Sequence, residues 1–212
     1  MEATRLNPSD FIRARLPLLP VPGIAEIRLH KAVPASGLGR LAAEDEAFGS
    51  PYWAYYWLGG LALARFVLDR PETVQGRRVL DLGCGSGLVA IAAAKAGAAR
   101  VLAADVDRYA VAATALNAAE NGVAIEAVHA DLTSGPVPEV DLILAGDVFY
   151  DPEPAARVTP FLTRCRAAGS EVLVGDPRRA PLPLERLRAL AEYAFAETDS
   201  GVLRSTEVFV FD

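Results

Sequence analysis

The chain has 212 residues, 52% of them hydrophobic and 23% charged, and a formal net charge of −6 at pH 7. This composition is typical of one folded soluble domain, and the longest apolar runs fall short of the roughly 20 residues that a membrane span requires. The acidic balance argues against a nucleic-acid partner, because a basic face normally supplies most of that affinity. With only two histidines and two cysteines, we expect no metal, no disulfide framework and a reducing compartment.

Residues 1–50 are the least regular part of the sequence. Alternating polar and apolar residues at 26–30 predict a half-exposed strand, and residues 35–40 are predicted to form a loop. We interpret residues 1–50 as an extension that covers one edge of the core, and residues 51–212 as the main domain. The first twenty residues mix acids with arginines and lack an apolar core, which favours a cytoplasmic location over a secreted one.

A helix is predicted to begin at Ser50 and Pro51, which suit the N-cap and first helical positions. Helical spacing then relates Trp53, Trp57, Leu61, Ala64 and Leu68. Gly59 and Gly60 would lie inside this helix, where each glycine costs roughly 0.5–1 kcal/mol relative to alanine. We therefore expect another backbone, or a ligand, to approach closely there.

From residue 78 onward, predicted strands alternate with predicted helices. The strands are expected at residues 79–82, 101–104, 125–129, 141–145 and 171–175, and the helices at 88–96, 109–121 and 155–168. Several of these strands are apolar without alternation, as is typical when helices cover both faces of a sheet. The pattern predicts a doubly wound, mostly parallel α/β sheet of the Rossmann-like type.

The end of the chain follows another pattern. Residues 184–193 are predicted to be helical, and strands are predicted at 195–198 and 206–211 on either side of a turn at Ser200 and Gly201. Such a pair predicts a C-terminal antiparallel hairpin, which would bring the sheet to seven strands.

The strongest motif is a glycine-rich turn that follows the strand at 79–82. Gly83, Gly85 and Gly87 would let the backbone pass close to a ligand at the mouth of the sheet, although such turns often only reverse the chain. The dinucleotide-binding pattern would need glycine or alanine at position 88, where this chain has leucine. Together with the strand residue Asp81, the motif resembles the cofactor loop of class I S-adenosylmethionine methyltransferases. The resemblance implies that Asp81 and the three glycines bind that cofactor.

Two further acids follow the next two strands. Asp105 ends the second strand, where a carboxylate can accept hydrogen bonds from both ribose hydroxyls. Asp107 is the competing candidate, although a helix N-cap would explain it equally well. By resemblance to the same class, Asp131 after the third strand would meet the adenine amine. Its alternative is an ordinary acid in a loop.

The fourth strand ends in Gly146-Asp147-Val148-Phe149-Tyr150-Asp151, which indicates the reaction. Nucleobase-amine and glutamine-amide methyltransferases have two prolines there, and this chain has neither. The motif resembles the Asp-x-x-Tyr motif of the seven-strand protein lysine methyltransferases. We assign Asp147 to hold the acceptor amine, and also the cofactor's amino end, and Tyr150 to orient the substrate. The alternative for Tyr150 is a phenol that completes a core hydrogen bond.

A closer resemblance covers roughly residues 51–161. The stretch 51–60, the glycine loop, Asn117 with Asn121, and the stretch 146–151 resemble the electron-transfer-flavoprotein β-subunit lysine methyltransferases. The resemblance implies protein-lysine N-methylation by S-adenosylmethionine without a metal, with that flavoprotein subunit as substrate. Because some members carry mitochondrial targeting sequences and this chain lacks a convincing one, we expect a cytoplasmic, bacterial-type member.

The aromatic stretch 52–57 has two interpretations. It could simply pack as core. Alternatively, Trp57 walls the cofactor site, and Trp53 or Tyr56 lines a channel for the lysine. Three other functions stay open: a small-molecule N- or O-methyltransferase is the main alternative, a nucleic-acid methyltransferase is disfavoured by the acidity, and the fold could also serve as a non-catalytic binding module.

Overall fold

The computed structural model describes residues 7–44, 48–196 and 202–212. Its first part consists of helix α1 (Pro8–Arg15), an antiparallel hairpin of β1 (Leu18–Val21) and β2 (Ile24–His30), and helix α2 (Leu38–Glu44). The strand predicted at 26–30 is thus confirmed. The loop predicted at 35–40 is wrong, because Pro34–Ser36 forms a 3-10 turn and α2 follows directly after Gly37, whose φ is 66°.

The rest of the chain alternates helices and strands. Its elements are α3 (Leu58–Asp69), β3 (Arg78–Leu82), α4 (Leu88–Lys95), β4 (Arg100–Asp105), α5 (Arg108–Glu120), β5 (Glu126–His129), β6 (Leu142–Gly146), α6 (Pro152–Ala167), β7 (Glu171–Asp176), β8 (Leu187–Ala196) and β9 (Leu203–Phe211). Within the described residues, seven strands form one sheet in the order β5-β4-β3-β6-β7-β9-β8. The strands from β3 to β7 run parallel, and β9 is antiparallel to both of its neighbours. The predicted doubly wound, mostly parallel sheet with a C-terminal antiparallel hairpin is confirmed.

Helices cover both faces of this sheet. On one face, Val79 of β3 and Leu144 of β6 belong to the same buried cluster as α3 and α4. On the other face, Leu80 of β3 and Ile143 of β6 pack in the cluster that contains α6. Because successive strand residues point to opposite faces and both faces are buried, β6 has no polar side chain, and β3 has apolar residues on both sides of the buried Asp81.

The hairpin at the end of the chain begins earlier than predicted. The helix predicted at 184–193 is wrong: only Leu184–Arg186 forms a 3-10 turn, and β8 then pairs with β9 from Leu187 to Ala196, with one irregularity between Ala189 and Ala191. This long-range pairing overrides the helical propensity of the leucines, alanines and arginines in β8. The turn predicted at Ser200 and Gly201 lies outside the described residues.

Helix α3 begins later than predicted. Tyr52–Ala54 forms a 3-10 turn, and the backbone is extended at Tyr55 and Trp57, so that the helix starts at Leu58. Gly59 and Gly60 are therefore in the first helical turn. The close backbone approach that the glycines predict is confirmed, because Gly59 packs on the Gly175 carbonyl and a β-carbon on Gly146 would lie 3.0 Å from the Gly60 Cα.

The N-terminal part packs against α5. Its buried side chains form one cluster with residues of that helix, namely Phe11, Ile12, Leu16, Ala32, Leu38, Phe48, Trp53, Ala54, Tyr109, Ala110, Ala113 and Leu116. Asn117 of α5 also accepts a hydrogen bond from the His30 N–H (2.7 Å) and donates one to the Ser86 carbonyl (2.8 Å). One buried amide thus ties the β1–β2 hairpin to the glycine turn. The division of the chain at residue 50 stays a prediction.

Candidate functional site

A cleft of about 670 Å³ opens at the carboxyl ends of the parallel strands. Eight of the nine residues predicted from the sequence line it, namely Trp57, Asp81, Gly83, Gly85, Asp105, Asp131, Asp147 and Tyr150. Gly87 is the exception. It precedes α4 with a φ of 82°, and a β-carbon there would lie 3.0 Å from Thr114. Gly87 therefore contributes to the shape of the turn without lining the cleft.

The glycine turn is held by the strand beside it. Gly83 and Gly85 have φ values of 70° and 51°, which favour glycine. The Gly85 N–H donates to Asp105 Oδ2 at 2.9 Å, and the Asp107 N–H donates to Asp105 Oδ1 at 2.9 Å. Burial raises the pKa of Asp105, against the opposing effect of these two N–H groups. Asp105 thus connects the turn to the end of β4 at the wall of the cleft.

The neighbouring acid Asp107 has a structural partner. Its Oδ1 accepts a hydrogen bond from the Tyr109 N–H at 2.7 Å, which makes it the N-cap of α5. Asp107 also lines the cleft. Its carboxylate is nevertheless committed to the helix terminus, which the sequence had offered as the alternative explanation for this residue.

Asp81 is almost completely buried beneath the glycine turn. Its Oδ2 accepts a hydrogen bond from the Ala90 N–H at 2.9 Å, in the first turn of α4. Burial raises the pKa of Asp81 to about 7, although the Ala90 N–H opposes this shift. The carboxyl group is therefore near its midpoint at neutral pH, and a cation that reached it would favour the ionised form.

Of the three acids Asp105, Asp131 and Asp147, Asp131 is the most exposed. Its Oδ1 accepts hydrogen bonds from the Thr133 N–H (2.9 Å) and the Thr133 hydroxyl (2.6 Å), and its Oδ2 lies 3.4 Å from Arg157 Nη1. The Thr133 hydrogen bonds hold the pKa of Asp131 below its usual value. Asp131 is thus ionised, and its Oδ2 keeps room for another donor.

Asp147 is fixed by contacts from three segments of the chain. Its backbone is left-handed, with a φ of 58°, and its N–H donates to the Gly175 carbonyl at 2.9 Å. Its Oδ2 accepts from the Gly60 N–H at 2.6 Å, and its Oδ1 accepts from Arg179 Nη1 at 2.6 Å. Burial raises the pKa of Asp147, and the adjacent Arg179 opposes that rise.

Arg179 is a site residue that the sequence analysis missed. The same Nη1 lies 3.1 Å from Asp176 Oδ2, and the Arg179 N–H donates to Asp176 Oδ1 at 2.7 Å. Asp176 is fully buried at the end of β7. A signal for its partner was present in the sequence, because Asp176 ends the fifth strand of the series, much as Asp105 ends the second and Asp147 follows the fourth.

Four exposed aromatic side chains, Tyr52, Tyr55, Trp57 and Tyr150, form what we call the aromatic rim of the cleft. The ring of Tyr52 lies 5.8 Å from Trp57 and 5.9 Å from Tyr150, and Tyr55 lies 6.2 Å from Trp57. Burial and the neighbouring Tyr52 raise the pKa of Tyr150. The exposed rings leave apolar faces at the entrance, where a cation can bind by cation–π attraction.

The other two aromatic candidates lie deeper. Trp53 is buried and stacks on Tyr109 at 5.5 Å, whereas the Tyr56 hydroxyl accepts a hydrogen bond from Lys31 Nζ at 2.8 Å. Both side chains reach the wall of the cleft. A lysine-channel role for either residue stays a prediction.

Across residues 7–44, 48–196 and 202–212, no group of three or more His, Cys, Asp or Glu side chains is placed to hold a metal ion. No helix in the described part of the chain is long and apolar enough to cross a membrane.

The fold and the cleft define a class I methyltransferase. The family model described as ribosomal protein L11 methyltransferase matches residues 62–148, from α3 to the residue after Asp147. The solved structure of a T. thermophilus 16S rRNA methyltransferase in complex with AdoMet and guanosine is similar to this fold. Its TM-score is 0.55 at 22% identity, over 74% of this chain and 44% of that one.

Curated relatives define the family. The electron transfer flavoprotein beta subunit lysine methyltransferase of Xenopus laevis is 41% identical over 197 residues, which cover 90% of this chain and 80% of that protein. The protein of the same name from Homo sapiens is 36% identical over 191 residues, which cover 85% of this chain and 73% of that protein. The chain belongs to the electron transfer flavoprotein beta subunit lysine methyltransferase family, as the aromatic stretch and the Asp-x-x-Tyr motif had indicated.

Proposed function

We propose that this enzyme transfers methyl groups from S-adenosylmethionine to lysine on the β subunit of electron transfer flavoprotein. One observation carries the proposal: Asp147 and the aromatic rim share a single cleft with the glycine turn and Asp105. The names of the relatives support the choice of acceptor. A cytoplasmic location stays a prediction from the sequence.

The cleft residues fit this cofactor chemically. Asp105 has a partly buried carboxylate beside a turn with glycine at positions 83, 85 and 87, which suits two ribose hydroxyl donors. Asp131 would accept a hydrogen bond from the adenine amine, and Asp81 with Asp147 would face the cationic amino-acid end. Trp57 would cover the outer side of the cofactor. When bound, S-adenosylmethionine supplies a methyl group that its sulfonium already activates.

The acceptor amine needs orientation and the loss of a proton, which water can accept. A free lysine has a pKa of about 10.4, and apolar surroundings lower it because they disfavour the charged form. The aromatic rim provides such surroundings at the entrance, and Tyr150 lies three residues beyond Asp147. Asp147 would accept a hydrogen bond from the amine, whereas Tyr150 would orient the aliphatic chain. Alignment of the two reactants then accounts for most of the catalysis.

The openness of the rim favours a protein acceptor over the small-molecule alternative. Tyr52 and Tyr150 are both 56% exposed, so the entrance can admit a side chain that projects from a large surface. The net charge of −6 also suits a lysine-bearing protein better than a nucleic acid.

Intact-mass analysis of recombinant flavoprotein β subunit, incubated with enzyme and S-adenosylmethionine, tests the proposal. We expect gains in steps of one methyl group, mapped to lysine by fragmentation. The Asp105→Ala enzyme serves as the control, because it should bind cofactor poorly. If the flavoprotein gains no mass, while enzyme and radiolabelled S-adenosylmethionine label another protein or a small molecule in cell extract, the enzyme is a methyltransferase with a different acceptor.

A further inference from the structure

A small charge cluster lies at the end of the cleft that holds Asp147. Asp147 directly follows β6, Asp176 ends the neighbouring parallel strand β7, and the Arg179 guanidinium bridges their carboxylates at 2.6 and 3.1 Å. The three side chains are 10%, 0% and 24% exposed, respectively. The cluster is thus largely shielded from water, and Asp147 with Arg179 reaches the cleft.

The geometry fixes the orientation of Asp147. The Gly60 N–H binds one carboxylate oxygen and Arg179 binds the other, so the carboxylate cannot rotate without losing a hydrogen bond. Arg179 is itself held, because its own N–H and its guanidinium both bind Asp176. Asp176 therefore holds Arg179 in place, and Arg179 in turn holds Asp147.

The charges explain why an arginine is needed there. Burial raises the pKa of Asp147 and of Asp176, and Arg179 opposes both shifts. Burial alone would lower the pKa of Arg179, but the two carboxylates raise it above its usual value. Without this cation, the carboxylates would take up a proton or would pair with the first ammonium group to arrive.

Pairing between an uncompensated carboxylate and the ammonium group of the acceptor would hinder methyl transfer. A lysine ammonium held tightly by an uncompensated carboxylate keeps its proton, and a protonated amine has no lone pair with which to attack the methyl group. A carboxylate whose charge is already balanced can still accept a hydrogen bond from the neutral amine, because each of its oxygens has two lone pairs.

We propose that Arg179 is a positioning residue for methyl transfer. It keeps Asp147 ionised and aimed into the cleft, and it balances the charge that would otherwise trap the acceptor amine in its protonated form. This inference rests on the proposed function of the same site. Arg179 would act through Asp147 and not directly on the methyl group.

The neighbouring residue Arg178 provides a matched control. It is also an arginine, but its side chain points away from the cluster, pairs with Glu207 and lies over the Phe209 ring at 5.5 Å. Arg178→Ala removes the same charge and the same atoms one residue earlier. We expect Arg178→Ala to keep kcat and KM within about twofold of the wild type.

The test compares kcat, KM and S-adenosylhomocysteine affinity in the wild type, Arg178→Ala, Arg179→Ala and Arg179→Lys. The acceptor is the flavoprotein β subunit or, if that is not methylated, the protein that the wild type labels in cell extract. The activity of the wild type thus tests the identity of the acceptor. The ratios of kcat, KM and cofactor affinity between the variants and the wild type test the role of Arg179. We expect Arg179→Ala to lower kcat at least about tenfold and to change cofactor affinity less than about threefold.

Two further measurements separate positioning from a merely structural role. Millimolar methylguanidinium should restore a substantial part of the Arg179→Ala rate, whereas sodium chloride at equal ionic strength should not. Arg179→Lys, which keeps the charge, should retain more activity than Arg179→Ala. The inference is overturned if Arg179→Ala keeps its kcat, if cofactor affinity falls in parallel with the rate, or if the lysine variant is as inactive as the alanine variant and guanidinium restores nothing.

Discussion

Gly59 and Gly175 pack backbone against backbone: a β-carbon on either one would lie well under 3.0 Å from the carbonyl oxygen of the other. This contact brings the N-terminus of α3 onto the end of β7. It also allows the Gly60 N–H to reach Asp147. The contact between two glycines far apart in the sequence therefore sets the geometry of the cleft around Asp147.

Gly59→Ala should destabilise the protein by roughly 1–3 kcal/mol or more, because the new methyl group overlaps backbone that cannot move aside like a flexible side chain. Gly39→Ala is the control. Gly39 lies in α2 with no atom within 4 Å of its β-carbon position, so alanine there should be neutral or stabilising by up to about 1 kcal/mol. Chemical denaturation measures the unfolding free energy of each variant. Equal unfolding free energies for Gly59→Ala and Gly39→Ala would contradict the close packing at Gly59.

Asp105→Ala should weaken S-adenosylhomocysteine binding at least about tenfold. The variant removes a charged acceptor for the ribose hydroxyls, and such hydrogen bonds contribute about 1.5–3 kcal/mol each. It also frees the Gly85 N–H that orients the glycine turn. Asp107→Ser, which keeps an N-cap for α5, should bind nearly as well as the wild type. Calorimetric titration with S-adenosylhomocysteine measures both affinities. If Asp107→Ser binds weakly and Asp105→Ala binds like the wild type, the ribose is bound by Asp107 instead.

Asp147→Asn should abolish most methyl transfer and reduce cofactor affinity far less. The substitution keeps the shape of the side chain but removes one of the two charged partners of Arg179 and leaves the amine without a carboxylate. Asp151→Asn removes an equal charge four residues later and preserves the N-cap of α6, so its loss should be at most a few-fold. Turnover of Asp147→Asn within a few-fold of the wild type would rule out the proposed role in holding the amine.

Asp81 should make the cofactor-free protein less stable as the pH rises. Its pKa of about 7 in the folded state exceeds its ordinary value of 3.8, so the folded state binds a proton that the unfolded state has released. The resulting stabilisation is present below about pH 4 and is lost as the pH rises through about 7. From pH 5 to 8, the unfolding free energy of the wild type should fall by roughly 2–3 kcal/mol relative to Asp81→Asn. Parallel pH curves for the two proteins would contradict a buried proton on Asp81.

The sequence by itself determined the order of strands and helices from residue 78 to 176 and the acids at the strand ends. Each signal there is local: an apolar run, a glycine turn, then an acid at the carboxyl end of a strand. Parallel strands place their carboxyl ends at one edge of the sheet, so Asp105, Asp131 and Asp147 had to meet at one cleft. The motif residues therefore predicted the site without knowledge of their contacts.

The tertiary structure decided the features that depend on partners far away in the chain. Residues 187–196 form a strand because β9 pairs with them from Leu187 to Ala196, with one irregularity between Ala189 and Ala191, whereas their own composition favours a helix. Helix α3 begins at Leu58 because its first turn must fit against Gly175. Arg179 reaches Asp147, 32 residues earlier, only because β6 and β7 are neighbours in the sheet. Local periodicity contains no information on such pairings, since they are set by the packing of separate segments.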